Sequence, residues 1–333
     1  MAEVIVTDHL VPPASIEQEV LESVATVHCL QAKSIAELRG KLTEAEGLIV
    51  FHEITLPADL LAELSCCRVI VRCGVGYDNV DCKVAGGLGI PVCNVPDYGV
   101  DEVADHSIGL MIACNRGFIV AERRLRQHLS PWDCRAIPPV MRMTGATLGI
   151  IGCGRIGSAT ALRGKALGMK VIVYDPYLRP GMEKVLGVLP VDLSDLLAQS
   201  DIVSLHVPLS AETEKLIDAK ALSMMKPSAI LINTARGAVV DVDALAEVLR
   251  AGKLGGAGID VLPSEPPPVD QPLVDLWKQP SDPPINLIIT PHVAFYSAAG
   301  YVEMRTKAAQ EILRVLQGAA PNNCVNQEWL TSV

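Results

Sequence analysis

At 333 residues the chain exceeds what one ordinary hydrophobic core organises, and it fits two domains. Half of its residues are hydrophobic and only 20% are charged, which excludes a disordered chain. A formal net charge of −10 leaves no electrostatic footprint for nucleic acid or an anionic membrane surface.

The opening MAEVIVTDHL has no basic n-region and no long apolar stretch, so no signal peptide is expected. No apolar run reaches the roughly 18 residues of a membrane-spanning helix. A cytoplasmic protein is therefore expected. The ten cysteines form no C-x-x-C pair and no cluster at zinc spacing, so no metal is expected. Most read as small buried hydrophobes of a reducing compartment. Arg123, Arg124 and Arg126 form the one dense basic run and read as a solvated helix face.

In chain order, the Val- and Ile-rich runs Glu3–Asp8, Ala25–Cys29, Gly47–Phe51, Val69–Arg72 and Pro91–Asn94 predict strands. Helical periodicity lies between them at 15–22, 34–42, 57–64 and 79–87. Such alternation predicts βαβ units and a parallel sheet. One long helix is predicted from Gly99 to Leu129, with Asp101 and Glu102 in its first turn, where acidic side chains suit the helix dipole. The alternation restarts at Thr147, with six strands predicted at 147–151, 170–174, 201–206, 229–233, 256–261 and 286–290. The Pro-rich stretch Pro266–Pro284 predicts a loop, and a final amphipathic helix covers Ser297–Gln317. The fold class expected is α/β, with two Rossmann-like or flavodoxin-like domains. A coenzyme domain, residues 101–295, is inserted into a substrate domain of 1–100 and 296–333.

The strand at 147–151 runs into Gly152-Cys153-Gly154-Arg155-Ile156-Gly157, a G-x-G-x-x-G. Alone, that hexamer is a weak signal. Here it follows a strand, opens the Ala-rich helix Ser158–Leu167, and precedes a second strand that ends in Asp175. Gly152 would make the tight turn, Gly154 would admit a pyrophosphate, and Gly157 would bring the helix onto the sheet. The helix start would meet the anion with its N–H groups. Asp175, 18 residues after Gly157, can accept from both adenosine ribose hydroxyls and would repel a 2′-phosphate. That predicts NAD rather than NADP, with Arg179 nearby as the opposing feature.

Arg236, Glu265 and His292 each follow a predicted strand, where open α/β sheets place their ligands. Reduction of a 2-keto acid needs these residue types. An Arg fork binds the carboxylate. Hydride arriving at C2 builds charge on the oxygen, so a proton donor must stand there, and histidine suits that task. A carboxylate beside the imidazole stabilises its charged form and fixes its orientation. Arg72 interrupts an apolar strand just before Gly74-Val75-Gly76, and His52 follows another strand. Both read as contacts to the substrate, with a local acidic partner for Arg72 as the competing reading.

The chain resembles the D-isomer-specific 2-hydroxyacid dehydrogenases over nearly its whole length. The resemblance is closest to the C-terminal-binding-protein branch. It is carried by Val71-Arg72-Cys73-Gly74-Val75-Gly76-Tyr77-Asp78-Asn79-Val80-Asp81, Tyr174-Asp175-Pro176-Tyr177, Asn233-Thr234-Ala235-Arg236-Gly237, Gly258-Ile259-Asp260-Val261 and Thr290-Pro291-His292. It implies that Arg236, Glu265 and His292 are catalytic and that Val75 and Gly76 offer N–H groups to the substrate carboxylate. On the cofactor side it adds Arg155, Ile156, His206, Val207, Pro208, Thr213, Thr234, Ala235 and Asp260, the last at the nicotinamide end. Phe295 stands where that branch carries a Trp, which alters the pocket wall. The resemblance also implies a homodimer, and the apolar surface of the 99–129 helix points the same way. The activity implied is hydride transfer between NAD and C2 of a small D-2-hydroxy acid. An NAD-sensing, corepressor-like binding protein is the alternative, and turnover of 2-keto acids separates the two.

Overall fold

A computed structural model describes residues 1–137, 139–279 and 285–330. The chain forms two compact units, Met1–Gly99 with Tyr296–Val333, and Val100–Phe295.

In unit 1, five parallel strands, β1 (Ala2–Val6), β2 (Ala25–Cys29), β3 (Gly47–Val50), β4 (Val69–Arg72) and β5 (Val92–Asn94), are ordered β2-β1-β3-β4-β5. β3 and β4 are buried throughout, as expected of strands covered on both faces. The sheet reverses direction of growth between β1 and β3, a topological switch point. The helix Ala298–Leu316, which starts at a Ser297 cap on Gly300 N–H, packs on β3. Ile312 reaches to 3.2 Å from where a Cβ would stand at Gly47. The same helix is clasped to helix Ser15–Leu21. Arg305 Nε and Nη2 donate to the two oxygens of fully buried Glu17 at 2.7 and 2.6 Å. A fork-to-fork pair of this kind holds segments 288 residues apart.

In unit 2, seven parallel strands follow: β6 (Thr147–Ile151), β7 (Lys170–Tyr174), β8 (Leu189–Pro190), β9 (Ile202–Leu205), β10 (Ile230–Asn233), β11 (Gly256–Ile259) and β12 (Leu287–Ile289). Their order is β12-β11-β10-β9-β6-β7-β8, with the switch point between β6 and β9. Both sheets are parallel and helix-covered, so the α/β fold class holds.

Several sequence expectations are corrected. The helix predicted over 99–129 is two helices, Val100–Asn115 and Phe118–Gln127, because Gly117 takes a left-handed conformation (φ 63°) between them. The first helix packs on β10 and β11, with Leu110 Cβ 2.9 Å from where a Cβ would stand at Gly258. Residues 266–279 are not all loop: Gln271 caps a helix at Pro272–Lys278, where proline in the first turn gives up no needed hydrogen bond. Residues 280–284 lie outside the described residues. A seventh strand, β8, joins the six predicted; it is two residues long, too short to show a pattern. The helices predicted at 34–42, 57–64 and 79–87 shorten to Ile35–Leu38, Ala58–Leu61 and Cys82–Gly87. In the basic run, Arg123 lies over the Trp277 ring and Arg126 pairs with Glu122. All ten cysteines are free. No helix among the described residues is long and apolar enough to cross a membrane.

Removing one member of the Glu17–Arg305 pair leaves an uncompensated buried charge. Arg305→Leu should destabilise unit 1 by about 3–5 kcal/mol, whereas the double variant Glu17→Leu/Arg305→Leu should lose much less. Amide hydrogen exchange at β1–β5 under increasing urea reads the difference.

Candidate active site

The Gly-rich turn of unit 2 stands at the switch point. Gly152 has φ +88°, and a Cβ there would lie 2.7 Å from His206 O and 2.8 Å from Val207 Cγ1, at the end of β9. A Cβ on Gly157 would collide with the Gly152 carbonyl. These two glycines are required by the chain's own packing. Gly154 is different: a Cβ there meets nothing within 4 Å. Nothing in the protein demands a glycine at that position, so the space is kept for something else. Gly154 also precedes helix Arg155–Ala166, whose N-terminus no side chain caps. The N–H groups of Arg155, Ile156 and Gly157 thus precede the first intrahelical bond and are the donors that a helix start offers to an anion. The helix begins three residues earlier than the Ser158 start expected from sequence.

Asp175 follows β7. Its carboxylate accepts from Cys153 N–H at 2.7 Å and Tyr177 N–H at 2.8 Å, which ties the second strand's end to the Gly-rich turn. Burial pushes the pKa of His206 down to about 3, so its ring is neutral, and Nε2 meets Ser204 Oγ at 2.9 Å. Beyond it, Thr213 Oγ1 donates to Pro208 O at 2.6 Å and receives Ser210 N–H at 2.8 Å, closing the loop that carries Val207 and Pro208. The predicted cofactor residues from Gly152 to Thr213 therefore gather around one strand crossing. This arrangement of open glycine, uncapped helix and strand-end carboxylate fits a dinucleotide.

Further along the same sheet edge stand Thr234, Ala235 and Arg236. Buried Asn233 shapes their turn: its amide accepts from Ala235 N–H (3.0 Å) and donates to Arg236 O (2.9 Å). Thr234 Oγ1 meets Ser107 Oγ at 2.8 Å. A Cβ at Gly237 would collide with Leu262 and Pro263, so the turn bearing Arg236 rests directly on the loop bearing Glu265. Glu265 Oε1 accepts from Leu262 N–H at 2.8 Å, and Oε2 meets His292 Nδ1 at 2.6 Å. Phe295 stands edge-on to the His292 ring, 6.2 Å between centroids.

His292 has φ +54°, an uncommon backbone state for histidine. Asp260, 2% exposed, holds it there. One Asp260 oxygen accepts Thr290 Oγ1–H (2.6 Å) and Val293 N–H (3.0 Å), and the other accepts Ala294 N–H (2.9 Å). The Asp260 carbonyl accepts His292 N–H at 2.8 Å. His106 Nε2 in turn meets Thr290 Oγ1 at 3.1 Å. Sequence reasoning gave Asp260 a place at the nicotinamide; its observed hydrogen bonds go to the loop that carries His292. It missed Asn233 as a turn builder, gave Thr290 no role beyond its place in the motif, and missed His106 altogether. Thr290 stood two residues from His292 as a visible signal, but His106 had none.

In unit 1, Arg72 ends β4 and is 7% exposed. Its guanidinium lies over Gly74 (φ +146°), where any Cβ would collide with it, and Nη1 donates to Cys73 O at 3.2 Å. Val95 N–H and Asn94 Nδ2 bind the carbonyls of Gly74 (3.0 Å) and Val75 (2.6 Å). With the carbonyls pinned on one side, the N–H groups of Val75 and Gly76 have no acceptor among the described residues. His52 follows β3, its ring 5.1 Å from that of His9.

Residues 108–294 match the family model for the D-isomer specific 2-hydroxyacid dehydrogenase, NAD binding domain. The chain belongs to the D-isomer-specific 2-hydroxyacid dehydrogenase family. It is 38% identical over 291 residues to a glyoxylate reductase of Korarchaeum cryptofilum, covering 86% of this chain and 85% of that protein. It is 36% identical over 327 residues to a D-3-phosphoglycerate dehydrogenase of Methanocaldococcus jannaschii, covering 98% of this chain but only 60% of that longer protein. A crystal structure of D-lactate dehydrogenase from Aquifex aeolicus, complexed with NAD and lactic acid, superposes with a TM-score of 0.85 at 31% identity, covering 95% of this chain and 96% of that one. The protein is an oxidoreductase of the D-2-hydroxyacid dehydrogenase type with a nicotinamide cofactor.

The glycines separate cofactor binding from folding. Gly154→Ala should fold with an unchanged melting temperature yet bind NADH at least about tenfold more weakly, since its methyl enters the phosphate space. Gly157→Ala should instead lower the melting temperature. Fluorescence titration with NADH and a thermal melt distinguish them.

Proposed function

We propose that the chain interconverts a D-2-hydroxy acid and its 2-keto acid, with Arg236, Glu265 and His292 as catalytic residues. The observation that carries this reading is the 2.6 Å contact of His292 Nδ1 with Glu265 Oε2, on a histidine held at positive φ by a buried carboxylate. An ionised Glu265 only accepts, which makes Nδ1 the donor and fixes the ring. Nε2 is then the atom that gives a proton to the carbonyl oxygen during reduction and takes it back during oxidation. The Arg236 fork and the N–H groups of Val75 and Gly76 hold the substrate carboxylate. Arg72 and His52 are further contacts to the substrate, and Phe295 limits its bulk. A bound nicotinamide supplies or accepts the hydride at C2.

The dinucleotide would be held by Gly152, Gly154, Arg155, Ile156 and Gly157 at its phosphates and by Asp175 at the adenosine ribose. His206, Val207, Pro208 and Thr213 would wall its middle, and Thr234 and Ala235 its nicotinamide end. Asp260 serves that end through the loop it fixes. Asp175 favours NAD over NADP by charge. Unit 1 is accordingly the substrate domain and unit 2 the coenzyme domain. A homodimer is supported by Phe118, Leu129 and Trp132, which are 54%, 74% and 76% exposed. The ten free cysteines suit the cytoplasm.

NADH oxidation with a panel of 2-keto acids tests the reading; NADH binding without turnover of any of them would sink it. His292→Asn should lower kcat about 10²–10⁴-fold with NADH binding retained. Glu265→Gln should lower kcat less than His292→Asn does, and an unchanged kcat would remove Glu265 from the dyad. Asp175→Ala should narrow the preference for NADH over NADPH.

A further inference from the structure

Unit 1 carries a second imidazole–carboxylate pair, at its own switch point. Order β2-β1-β3-β4-β5 opens a crevice beyond the C-terminal ends of β1 and β3, the place where such sheets take ligands. His9 follows β1, and His52 and Glu53 follow β3. His9 Nδ1 meets Glu53 Oε1 at 2.9 Å, and Lys33 Nζ holds Glu53 Oε2 at 2.6 Å. His9 has φ +62°, matching the unusual backbone state of His292. Fully buried Asp8 builds the corner by accepting Phe51 N–H (2.9 Å) and Glu53 N–H (2.8 Å). The His9 ring is seated against Phe51, with centroids 5.0 Å apart, and Tyr301, at 6.2 Å. None of this is needed for proton or hydride transfer.

The protonation logic identifies what the pair can bind. Burial raises the pKa of Glu53, but Lys33 and His9 outweigh it and hold the carboxyl below its ordinary value. Glu53 is therefore an acceptor, Nδ1 of His9 is the donor to it, and Nε2 has no partner among the described residues. A hydroxyl can pair with Nε2 whether the imidazole is neutral or charged, by donating or accepting. A second carboxylate could pair only with the imidazolium, and it would face Glu53 and Asp8. Those two charges cancel Lys33 and Arg72, so only the imidazolium itself would hold an anion there.

Geometry sets the distance. The Val75–Gly76 N–H groups lie in the loop after β4, which is two strands from β1, about 10 Å at the usual strand spacing. With a hydrogen bond at each end, about 4 Å remain between a bound carboxylate oxygen and a distal polar atom. That is the reach of a hydroxyl on C3 or C4 of a 2-keto acid.

We propose that His9, backed by Glu53, is a specificity-determining residue whose Nε2 hydrogen-bonds a C3 or C4 hydroxyl, so that the chain acts on hydroxylated 2-keto acids. The inference rests on the dehydrogenase reading above. The test is NADH-dependent reduction of glyoxylate, pyruvate, hydroxypyruvate, 4-hydroxy-2-ketobutyrate and oxaloacetate by wild type, His9→Asn and Glu53→Gln. Asn tolerates positive φ and is too short to reach, so the fold is kept. Wild type should favour one of the two hydroxylated acids over pyruvate at least about tenfold in kcat/KM, about the worth of one good hydrogen bond. His9→Asn should erase that preference while glyoxylate stays within about twofold, and Glu53→Gln should lose part of it. A preference that survives His9→Asn, an equal loss on glyoxylate, or a wild-type preference for oxaloacetate would each overturn the proposal. Absence of turnover with every acid would instead overturn the dehydrogenase reading, and this one with it.

Discussion

Asp260 lies buried at the C-terminal end of β11, where an unpaired carboxylate would cost several kcal/mol. It persists because the loop after β12 supplies one hydroxyl and two backbone N–H groups to its oxygens. Each side of this arrangement requires the other. Without the loop the charge would be uncompensated, and without the charge the loop would lose the bonds that hold His292 at φ +54°. The position of the imidazole against Glu265 follows from that exchange, and the turn of Arg236 follows from its contact with the Glu265 loop at Gly237.

Unit 1 solves a similar problem in the same way. Asp8, buried after β1, receives N–H groups from the loop after β3, and the histidine beside it takes a positive φ and faces a glutamate. In both units a buried carboxylate at a strand end converts two flexible loops into one rigid corner. A side chain on such a corner is held by the sheet rather than by its own rotamer preferences, which is what a site needs if its groups are to stay within a fraction of an ångström of working geometry.

Much of this was legible in the sequence because it is local. The strand, glycines and aspartate of the phosphate cradle lie within 29 residues, and their spacing carries their roles. A strand such as β3 declares itself as an unbroken apolar run. Other features were not legible because they depend on partners far along the chain. His106 acquires meaning only from Thr290, 184 residues on, and the hydrogen bonds that tie Asp260 to the His292 loop span 30 residues or more. His9 looks like an ordinary loop residue until β1 and β3 are known to be neighbours. Gly117 was a visible helix breaker, but apolar periodicity on both sides concealed it. The helix at Pro272–Lys278 was concealed by the prolines around it, although one of them is a good first-turn residue.

The clasp between Glu17 and Arg305 also sets an order of events during synthesis. Chains emerge from the ribosome at roughly 5–20 residues per second and domains form as units. The strands of unit 1 leave first, yet their sheet lacks the helix Ala298–Leu316 that covers it, and Glu17 lacks its counter-ion. All the strands of unit 2 are out by Ile289. The part of the protein made first is thus finished last, and for some ten seconds or more its apolar sheet face waits exposed. That interval is when a holding chaperone would have most to gain from binding this chain.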